Sequence, residues 1–274
     1  MRDIRWMVAV ALLAAFGTTN VAIACTVLAI GNGEMTLFGN NEDYALAEPH
    51  LWTVAATDVY YGYVALGFDR YAQGGINTAG LCFDATGVPG PSAKSLGGKH
   101  SNSNQYDFCQ AALRECATIN ELEEFLRMRY LDRISGGQFL FADASGASLV
   151  LCVDARGEVV IDRTEGSFRV ITNFNVASPE LGGYPCWRFS NATAGLTSIV
   201  SGEVELTVEA LVATLDIVHF SSGSSETMYS NIFDLTQGIA YVYFQHDFDN
   251  PLELDVAAWT ATSQNILLSS LFGG

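Results

Sequence analysis

Cys25 directly follows a predicted cleavage site, where cleavage would leave a free amine beside its thiol. Ala22-Ile23-Ala24 has the small-x-small pattern that signal peptidases cleave, and Cys25 follows directly. Cleavage at this point would make Cys25 the first residue of the mature chain. Its free α-amine, which titrates near about 8, would then lie beside the thiol and accept the thiol proton directly or through one water. The pattern predicts a nucleophile that is activated by processing.

The segment before Cys25 has the layout of a signal peptide. Arg2 and Arg5 form a positive start, and Trp6 to Phe16 form an apolar run. We predict that residues 1–24 are removed by signal peptidase and that the mature protein is secreted or periplasmic. The apolar run is too short to span a bilayer comfortably, so stable membrane insertion is not expected.

Two alternatives to a catalytic Cys25 stay open. A cysteine at a cleavage site is also where lipoproteins carry their lipid, although Ala22 stands where such signals usually have Leu. The protein would then be a lipid-anchored binding protein. Cys25 can also be a buried cysteine that happens to follow the cleavage site.

Composition narrows the classes of partner. The chain of 274 residues has 30 acidic and 13 basic residues and a formal net charge of −17. Such a surface repels nucleic acid and anionic membranes. The excess of acidic residues favours solubility and does not indicate a particular ligand. No linker or internal repeat divides the sequence, which predicts one domain over residues 25–274.

The mature N-terminus is predicted to be a β-hairpin. Thr26 to Ile30 and Met35 to Phe38 are strand-like, and Asn32-Gly33 between them is a strong two-residue turn signal. A two-residue turn would set Cys25 opposite Asn40. Glu42 and Asp43 would then follow just beyond the paired strands, so a carboxylate is expected beside the new terminus.

The remaining pattern alternates groups of strands with groups of helices. Strands are predicted at Gly80–Phe83, Gln138–Ala142, Ala147–Val153, Glu158–Ile161, Phe168–Thr172, Ser230–Leu235 and Ile239–Phe244. Helices are predicted at Tyr106–Cys116, from Thr118 to about Tyr130, and at Thr207–Phe220. This predicts an α+β protein with mostly antiparallel sheets. The segments from His50 to Asp69 and from Pro91 to Asn104 are not assigned.

The other cysteines and the histidines show no metal-binding pattern. Cys109 and Cys116 would lie about 10 Å apart on one helix, which is beyond disulfide reach. Cys82 and Cys152 lie in apolar strands and are predicted to be core thiols. A disulfide that includes Cys186 stays possible. The four histidines, His50, His100, His219 and His246, lack ligand spacing, so no metal role is expected for them.

Several separate segments together resemble one enzyme family. They are Cys25-Thr26, Phe38 to Tyr44, Gly75 to Leu81, Thr172-Asn173-Phe174, Cys186 to Phe189, and Thr227 to Ser230 with Asp234-Leu235. In order and spacing the set resembles the choloylglycine hydrolase and penicillin V acylase group of N-terminal nucleophile (Ntn) hydrolases. The resemblance spans nearly the whole mature chain.

The resemblance implies a fold, a reaction and a set of roles. The fold would be a four-layer αββα sandwich. The enzyme would hydrolyse a linear non-peptide amide of a small molecule through an acyl-thioester, without a cofactor. Cys25 would attack the carbonyl, and Asp43 would orient its amine and thiol. The side-chain amide of Asn173 and the backbone N–H of Gly87 would bind the oxyanion, and Arg188 would support the site or contact the substrate.

The sequence also departs from the family pattern. The related enzymes usually carry Arg where Asn40 stands, so Asn40 is a candidate substrate-binding position and the family's substrates cannot be transferred. Glu42 beside Asp43 is similar to exported cysteine dipeptidases of the same fold class, although those chains are usually longer. Acyl transfer to an amine is a further alternative. The acyl group, the leaving amine and the oligomeric state are not predicted.

Each of the other site residues also has a structural interpretation. Asp43 and Gly87 can be turn residues, Asn173 can cap a strand end, and Arg188 can be a surface charge.

Overall fold

The fold is described by a computed structural model. It covers residues 25–45, 47–68, 71–94, 107–128, 134–164, 166–222 and 225–273. The predicted signal peptide, residues 1–24, lies outside the described residues. So do most of the unassigned segment that begins at Pro91 and the predicted ends of two helices at Tyr106 and Tyr130.

Fifteen strands and five α-helices occur in the described residues. The strands are Thr26–Gly31 (β1), Thr36–Ala45 (β2), Pro49–Val54 (β3), Tyr63–Phe68 (β4), Tyr71–Asn77 (β5), Cys82–Gly87 (β6), Gly137–Ala142 (β7), Ser148–Val153 (β8), Val159–Thr164 (β9), Phe168–Ile171 (β10), Ser221–Ser222 (β11), Ser225–Asp234 (β12), Ile239–Phe244 (β13), Leu252–Asp255 (β14) and Gln264–Leu267 (β15). The helices are Asp107–Glu115 (α1), Ile119–Arg127 (α2), Trp187–Val200 (α3), Val208–Val218 (α4) and Val256–Trp259 (α5).

The predicted N-terminal hairpin forms with a wider turn than expected. Residues 32–35 connect the two strands. The side-chain oxygen of Asn32 accepts hydrogen bonds from the backbone N–H groups of Glu34 and Met35, at 3.0 and 2.8 Å. This local bonding stabilises a four-residue loop in place of the two-residue turn.

The wider turn shifts the strand register. Thr26 pairs with Asn41, so the same register places Cys25 opposite Glu42. The predicted pairing of Cys25 with Asn40 is therefore wrong by two residues. Asn40 instead lies opposite Val27.

The strands form two antiparallel sheets. The first has the order β10-β1-β2-β12-β13-β14, with β11 paired to β12. The second has the order β15-β3-β4-β5-β6-β7-β8-β9. The strands predicted from Gly80 onward are confirmed within a few residues. The segment from His50 to Asp69 contains two strands, β3 and β4, that the sequence left unassigned.

Helices cover the outer face of each sheet. Leu113 of α1 and Leu122 of α2 pack with Phe139 of the second sheet. Leu196 of α3 and Leu215 of α4 pack on the first sheet. A third apolar layer lies between the sheets. The four-layer αββα arrangement predicted from the resemblance is confirmed.

Helix α3 was not predicted from the sequence. Its residues are mostly small or polar, and they lack a clear apolar stripe. Gly195 explains part of this pattern, because a Cβ at that position would lie 2.8 Å from the Thr214 side chain of α4. The small residues therefore permit close packing of α3 on α4. The helices predicted as α1, α2 and α4 are confirmed.

The cysteines are unpaired in this structure. All six lie in the described ranges as free, buried thiols, so the disulfide considered for Cys186 does not form. No helix among the described residues is both long and apolar enough to cross a bilayer.

Candidate active site

Cys25 directly precedes β1 and lies between the two sheets. Its side chain is 1% exposed, and the thiol donates to the backbone carbonyl of Asp43 at 3.7 Å. Burial raises the pKa of this thiol well above its usual value, and the nearby carboxyls of Glu42 and Asp43 raise it further. Thiolate formation therefore needs a positive charge or a base that the full-length chain does not place on the Cys25 nitrogen.

The Asp43 carboxyl faces Thr227 and Arg188. Its Oδ1 accepts a hydrogen bond from the Thr227 hydroxyl, while its Oδ2 has no hydrogen-bond partner among the described residues. Burial raises the pKa of Asp43 to about 7, and Thr227 and Arg188 oppose that rise. One carboxylate oxygen is thus held in place and the other stays available.

Glu42 lies directly across the hairpin from Cys25. Its side chain is 1% exposed, and Oε2 has no hydrogen-bond partner among the described residues. Burial and then the Asp43 charge raise the pKa of Glu42 to about 8. The Asn40 amide and the Cys25 thiol are close enough to oppose this shift. The Asn40 amide nevertheless makes no hydrogen bond of acceptable geometry to it.

Asn173 and Gly87 come together from different sheets. Asn173 follows β10, whose register with β1 places Val27 opposite Ile171 and continues to Cys25 opposite Asn173. The Asn173 Nδ2 donates to the Gly87 carbonyl at 2.9 Å. An amide nitrogen carries two hydrogens, so one N–H is left for a ligand. The predicted role of the Gly87 N–H stays a prediction.

Arg188 lies in the first turn of α3 and points inward. Its guanidinium donates to the backbone carbonyl of Cys25 at 2.6 Å, to the Thr26 hydroxyl at 3.2 Å and to Oδ1 of Asn173 at 2.8 Å. The bond to Oδ1 fixes the orientation of the Asn173 side-chain amide, so that Nδ2 is directed toward Gly87. These contacts match a supporting role rather than a surface charge.

Gln138 is a positioning residue that the sequence did not reveal. This fully buried side chain donates from Nε2 to the backbone carbonyls of Thr172 and Phe174, at 2.8 and 3.0 Å. Its Oε1 accepts from the Val176 N–H at 3.2 Å. Gln138 therefore clamps the segment that carries Asn173 against the second sheet. A glutamine amid the apolar residues of a predicted strand was the available signal.

A cavity of about 280 Å³ opens at Cys25. Its walls come from both sheets and combine the nucleophile candidate, a carboxyl, aromatic rings and glycine backbone. The lining residues are Cys25, Glu42, Tyr44, Tyr71, Gln73, Ala85, Thr86, Gly87, Gly136, Gly137 and Phe139. The cavity can hold a small acyl group with its carbonyl beside the sulfur.

Further polar groups are buried behind this cavity. Asp84 is fully buried, and its Oδ1 accepts from the Ala85 N–H at 2.8 Å while its Oδ2 has no hydrogen-bond partner in the described ranges. Burial, with the Glu42 charge, raises the pKa of Asp84 well above its usual value. Asn40, the Tyr229 hydroxyl and Asn231 are likewise buried without such partners. Asn40 does not line the cavity.

Within the described residues, no group of three or more His, Cys, Asp or Glu side chains is arranged to hold a metal ion.

No protein-family model matches the sequence, and no curated protein is similar enough to count as a relative. Solved structures do match. A variant of the conjugated bile acid hydrolase from Clostridium perfringens superposes with a TM-score of 0.66 and 16% identity, over 88% of this chain and 95% of that one. The penicillin V acylase from Agrobacterium tumefaciens gives 0.65 and 17%, over 89% and 91%.

A third match is the Caenorhabditis elegans orthologue of N-acylethanolamine-hydrolyzing acid amidase, with a TM-score of 0.56 and 15% identity over 89% of this chain and all of that one. The chain has the Ntn-hydrolase fold. In this fold Cys25 directly precedes β1 and lines the cavity. The backbone of Asp43 and the Arg188 guanidinium contact Cys25, and Asn173 contacts both Arg188 and Gly87.

Proposed function

We propose that the protein is an exported hydrolase of linear non-peptide amides, with Cys25 as its N-terminal nucleophile after residues 1–24 are removed. The observation that carries this proposal is the placement of the Cys25 sulfur on an inter-sheet cavity, at the level where Asn173 and Gly87 meet. The names of the structural neighbours, a hydrolase, an acylase and an amidase, support the same reaction class.

The proposed reaction has two halves. The Cys25 α-amine takes the thiol proton while the sulfur attacks the amide carbonyl, and the oxyanion forms beside the Asn173 amide. The ammonium then returns the proton to the leaving nitrogen as the C–N bond breaks. Water attacks the acyl-thioester in the same way, which releases the acid and restores the thiol.

Processing would switch the site on through charge as well as through a base. In the uncut chain the Cys25 nitrogen is an amide, and the buried thiol faces the carboxyls of Glu42, Asp43 and Asp84, all of which raise its pKa. Removal of residues 1–24 would add an α-ammonium among these groups. An adjacent positive charge favours the thiolate. Asp43, with one oxygen held by Thr227, is suited to orient that ammonium.

The burial of Cys25 argues against the lipoprotein alternative. A lipid attached to the sulfur would have to leave a site that is 1% exposed and faces the space between two sheets. Acyl transfer would use the same thioester, and no contact among the described residues favours it over hydrolysis.

The test combines the identity of the first residue with turnover. Mass spectrometry of the protein from an exporting host should give a chain that starts at Cys25 with an unmodified thiol. This protein should hydrolyse at least one member of a panel of N-acyl amino acids, N-acyl amines, penicillin V and bile-salt conjugates. Protein that retains residues 1–24 should be inactive.

Cys25→Ser should fold and lose nearly all turnover, because an alkoxide is far harder to form than a thiolate at neutral pH. Cys186→Ser is the matched control, since serine suits the position before α3 and the thiol lies outside the cavity. Equal turnover by cut and uncut protein would reject the proposal.

A further inference from the structure

The cavity at Cys25 has an acidic wall without a matching cation. Among its described lining residues, Glu42 is the single carboxylate, and no Lys, Arg or His contributes. Asp84 and Asp43 lie close enough to act on the same thiol. Glu42 therefore lies in the cavity wall, and two further buried carboxyls, Asp43 and Asp84, lie near the same thiol outside the lining.

The cations of the site do not balance these carboxyls. Arg188 acts on Asp43, and the α-ammonium of a processed Cys25 would be a second positive charge. Among the described residues, neither Glu42 nor Asp84 has an arginine, lysine or histidine among the groups that shift its pKa. Within the described part of the chain, at least one carboxyl of this set is thus left without a cation.

Glu42 is the member of the set that a ligand can reach. It lines the cavity directly opposite the Cys25 position. Its Oε2 is buried and has no hydrogen-bond partner among the described residues. A buried carboxylate oxygen is stabilised when a charged donor meets it. A cationic group that enters the cavity would supply this donor.

We propose that Glu42 makes the cavity selective for amides with a positively charged group beside the scissile bond, and against those with a carboxylate or sulfonate there. This substrate class rests on the proposed function of Cys25. Without a ligand Glu42 holds its proton near neutral pH, because burial raises its pKa to about 8. An incoming cation replaces that proton, whereas an incoming anion meets the Glu42 carboxyl in the cavity wall.

The experiment measures charge selection at the thiol without any need for turnover. The purified protein is treated with two methanethiosulfonates of fixed charge, 2-(trimethylammonio)ethyl and 2-sulfonatoethyl, and with the neutral methyl reagent. In each case the thiolate displaces methanesulfinate and forms a mixed disulfide. Peptide mass spectrometry follows the Cys25 peptide, and Cys25→Ser shows the background.

After each rate is divided by the rate of the same reagent with free cysteine at the same pH, we expect the cationic reagent to react about tenfold or more faster than the anionic one. Glu42→Gln should lower this ratio by about tenfold, and Glu42→Asp, which keeps the charge, should lower it much less. Glu34→Gln makes the same change in the exposed loop of the same hairpin and should leave the ratio as it is.

A wild-type ratio near or below one would overturn the proposal, as would a ratio that is unchanged in Glu42→Gln or equally reduced in Glu42→Asp. The wild-type ratio decides the matter even if a Glu42 variant fails to fold. Failure of the proposed function is a separate result. It would appear as a missing Cys25 terminus or as turnover that survives Cys25→Ser, with no bearing on the reagent ratio.

Discussion

Asn40 and Asn41 are neighbours in β2, yet they face opposite sides of the sheet. The Asn41 amide donates to the Leu215 carbonyl of α4 at 2.8 Å and accepts from the Ser230 hydroxyl at 2.7 Å. Asn40 is equally buried, but neither end of its amide has a partner among the described residues. The helix side of the strand is bonded, and the inter-sheet side is not.

The same contrast extends across the site. On the helix side, Thr26 bonds to Arg188 and Thr227 bonds to Oδ1 of Asp43, although Oδ2 of Asp43 has no hydrogen-bond partner among the described residues. On the inter-sheet side, Glu42 and Tyr229 carry atoms without partners in the described ranges. Buried polar groups normally have partners, and exceptions are expected where a ligand or ordered water binds. The helix side therefore fixes the geometry, and the inter-sheet side is suited to bind.

The largest effect is expected from breaking the bonded side at Arg188. Arg188→Met would remove the donor from three acceptors, which are the Cys25 carbonyl, the Thr26 hydroxyl and Oδ1 of Asn173. It would also remove the positive charge that acts on Asp43. The free energy of unfolding should therefore fall by about 3 kcal/mol or more. Chemical denaturation at pH 7 measures the change. Arg163→Met, at a half-exposed ion pair, is the control and should cost about 1 kcal/mol or less. Equal losses would contradict the supporting role of Arg188.

Asn173 contacts both Arg188 on the helix side and Gly87 of the second sheet. Its substitution should lower the rate of turnover. One oxyanion donor is typically worth about 3 kcal/mol, so Asn173→Ala should slow turnover by about 100-fold or more. The measurement is kcat on any amide that the processed protein hydrolyses, corrected for the folded fraction. An unchanged kcat would mean that the oxyanion binds elsewhere.

Glu42 tests the inter-sheet side through pH. Its pKa is about 8 in the folded chain against 4.5 ordinarily, so between these values the unfolded chain releases a proton that the folded chain keeps. The Glu42 contribution to stability is therefore complete below about 4.5 and is lost as the pH rises towards 8. Glu42→Gln should be more stable than wild type at pH 8 by on the order of 2 kcal/mol, with the gap closing by pH 4.

Denaturant unfolding at pH 4, 6 and 8 follows this gap, with Glu34→Gln as the exposed control. A gap that widens towards low pH would show that Glu42 is ionised and paired in the folded chain.

The smallest effects come from the two asparagines themselves. Asn41→Leu removes two buried hydrogen bonds and should cost about 1–2 kcal/mol. Asn40→Leu removes no hydrogen bond to a described residue and should change stability by less than about 1 kcal/mol. Thermal unfolding of the pair is a direct comparison. Equal losses would erase the distinction between the two faces.

Most strands and three of the helices could be predicted from the sequence pattern. The missed helix and the wrong hairpin register have local causes. Alternation and turn residues were enough for most strands, and the helices with apolar stripes were found. Helix α3 was missed because Gly195 and its small neighbours allow close contact with α4, and its buried face, which includes Arg188 and Ala192, contains few large apolar residues. The register error arose because the Asn32 side chain bonds the loop backbone and widens the turn.

The site was predicted in part for similar reasons. Motif order placed Cys25, Asp43, Asn173, Gly87 and Arg188 in one region. The structure links them by hydrogen bonds, and Cys25 and Gly87 line the cavity. Glu42 was expected beyond the paired strands, yet it lies opposite Cys25, because its position depends on the register. Gln138 and Asp84 come from the second sheet, and no local pattern shows which distant strand will face the nucleophile.

The bond between Asn173 and Gly87 joins the two sheets beside Cys25. Neither sheet alone contains both the thiol and the full wall of the cavity, so under the proposed function turnover requires that the two sheets be docked. A partially unfolded molecule that keeps only one sheet intact would then be inactive. Turnover would report on the docking of the two sheets, and damage that separates them would abolish activity as loss of the thiol would.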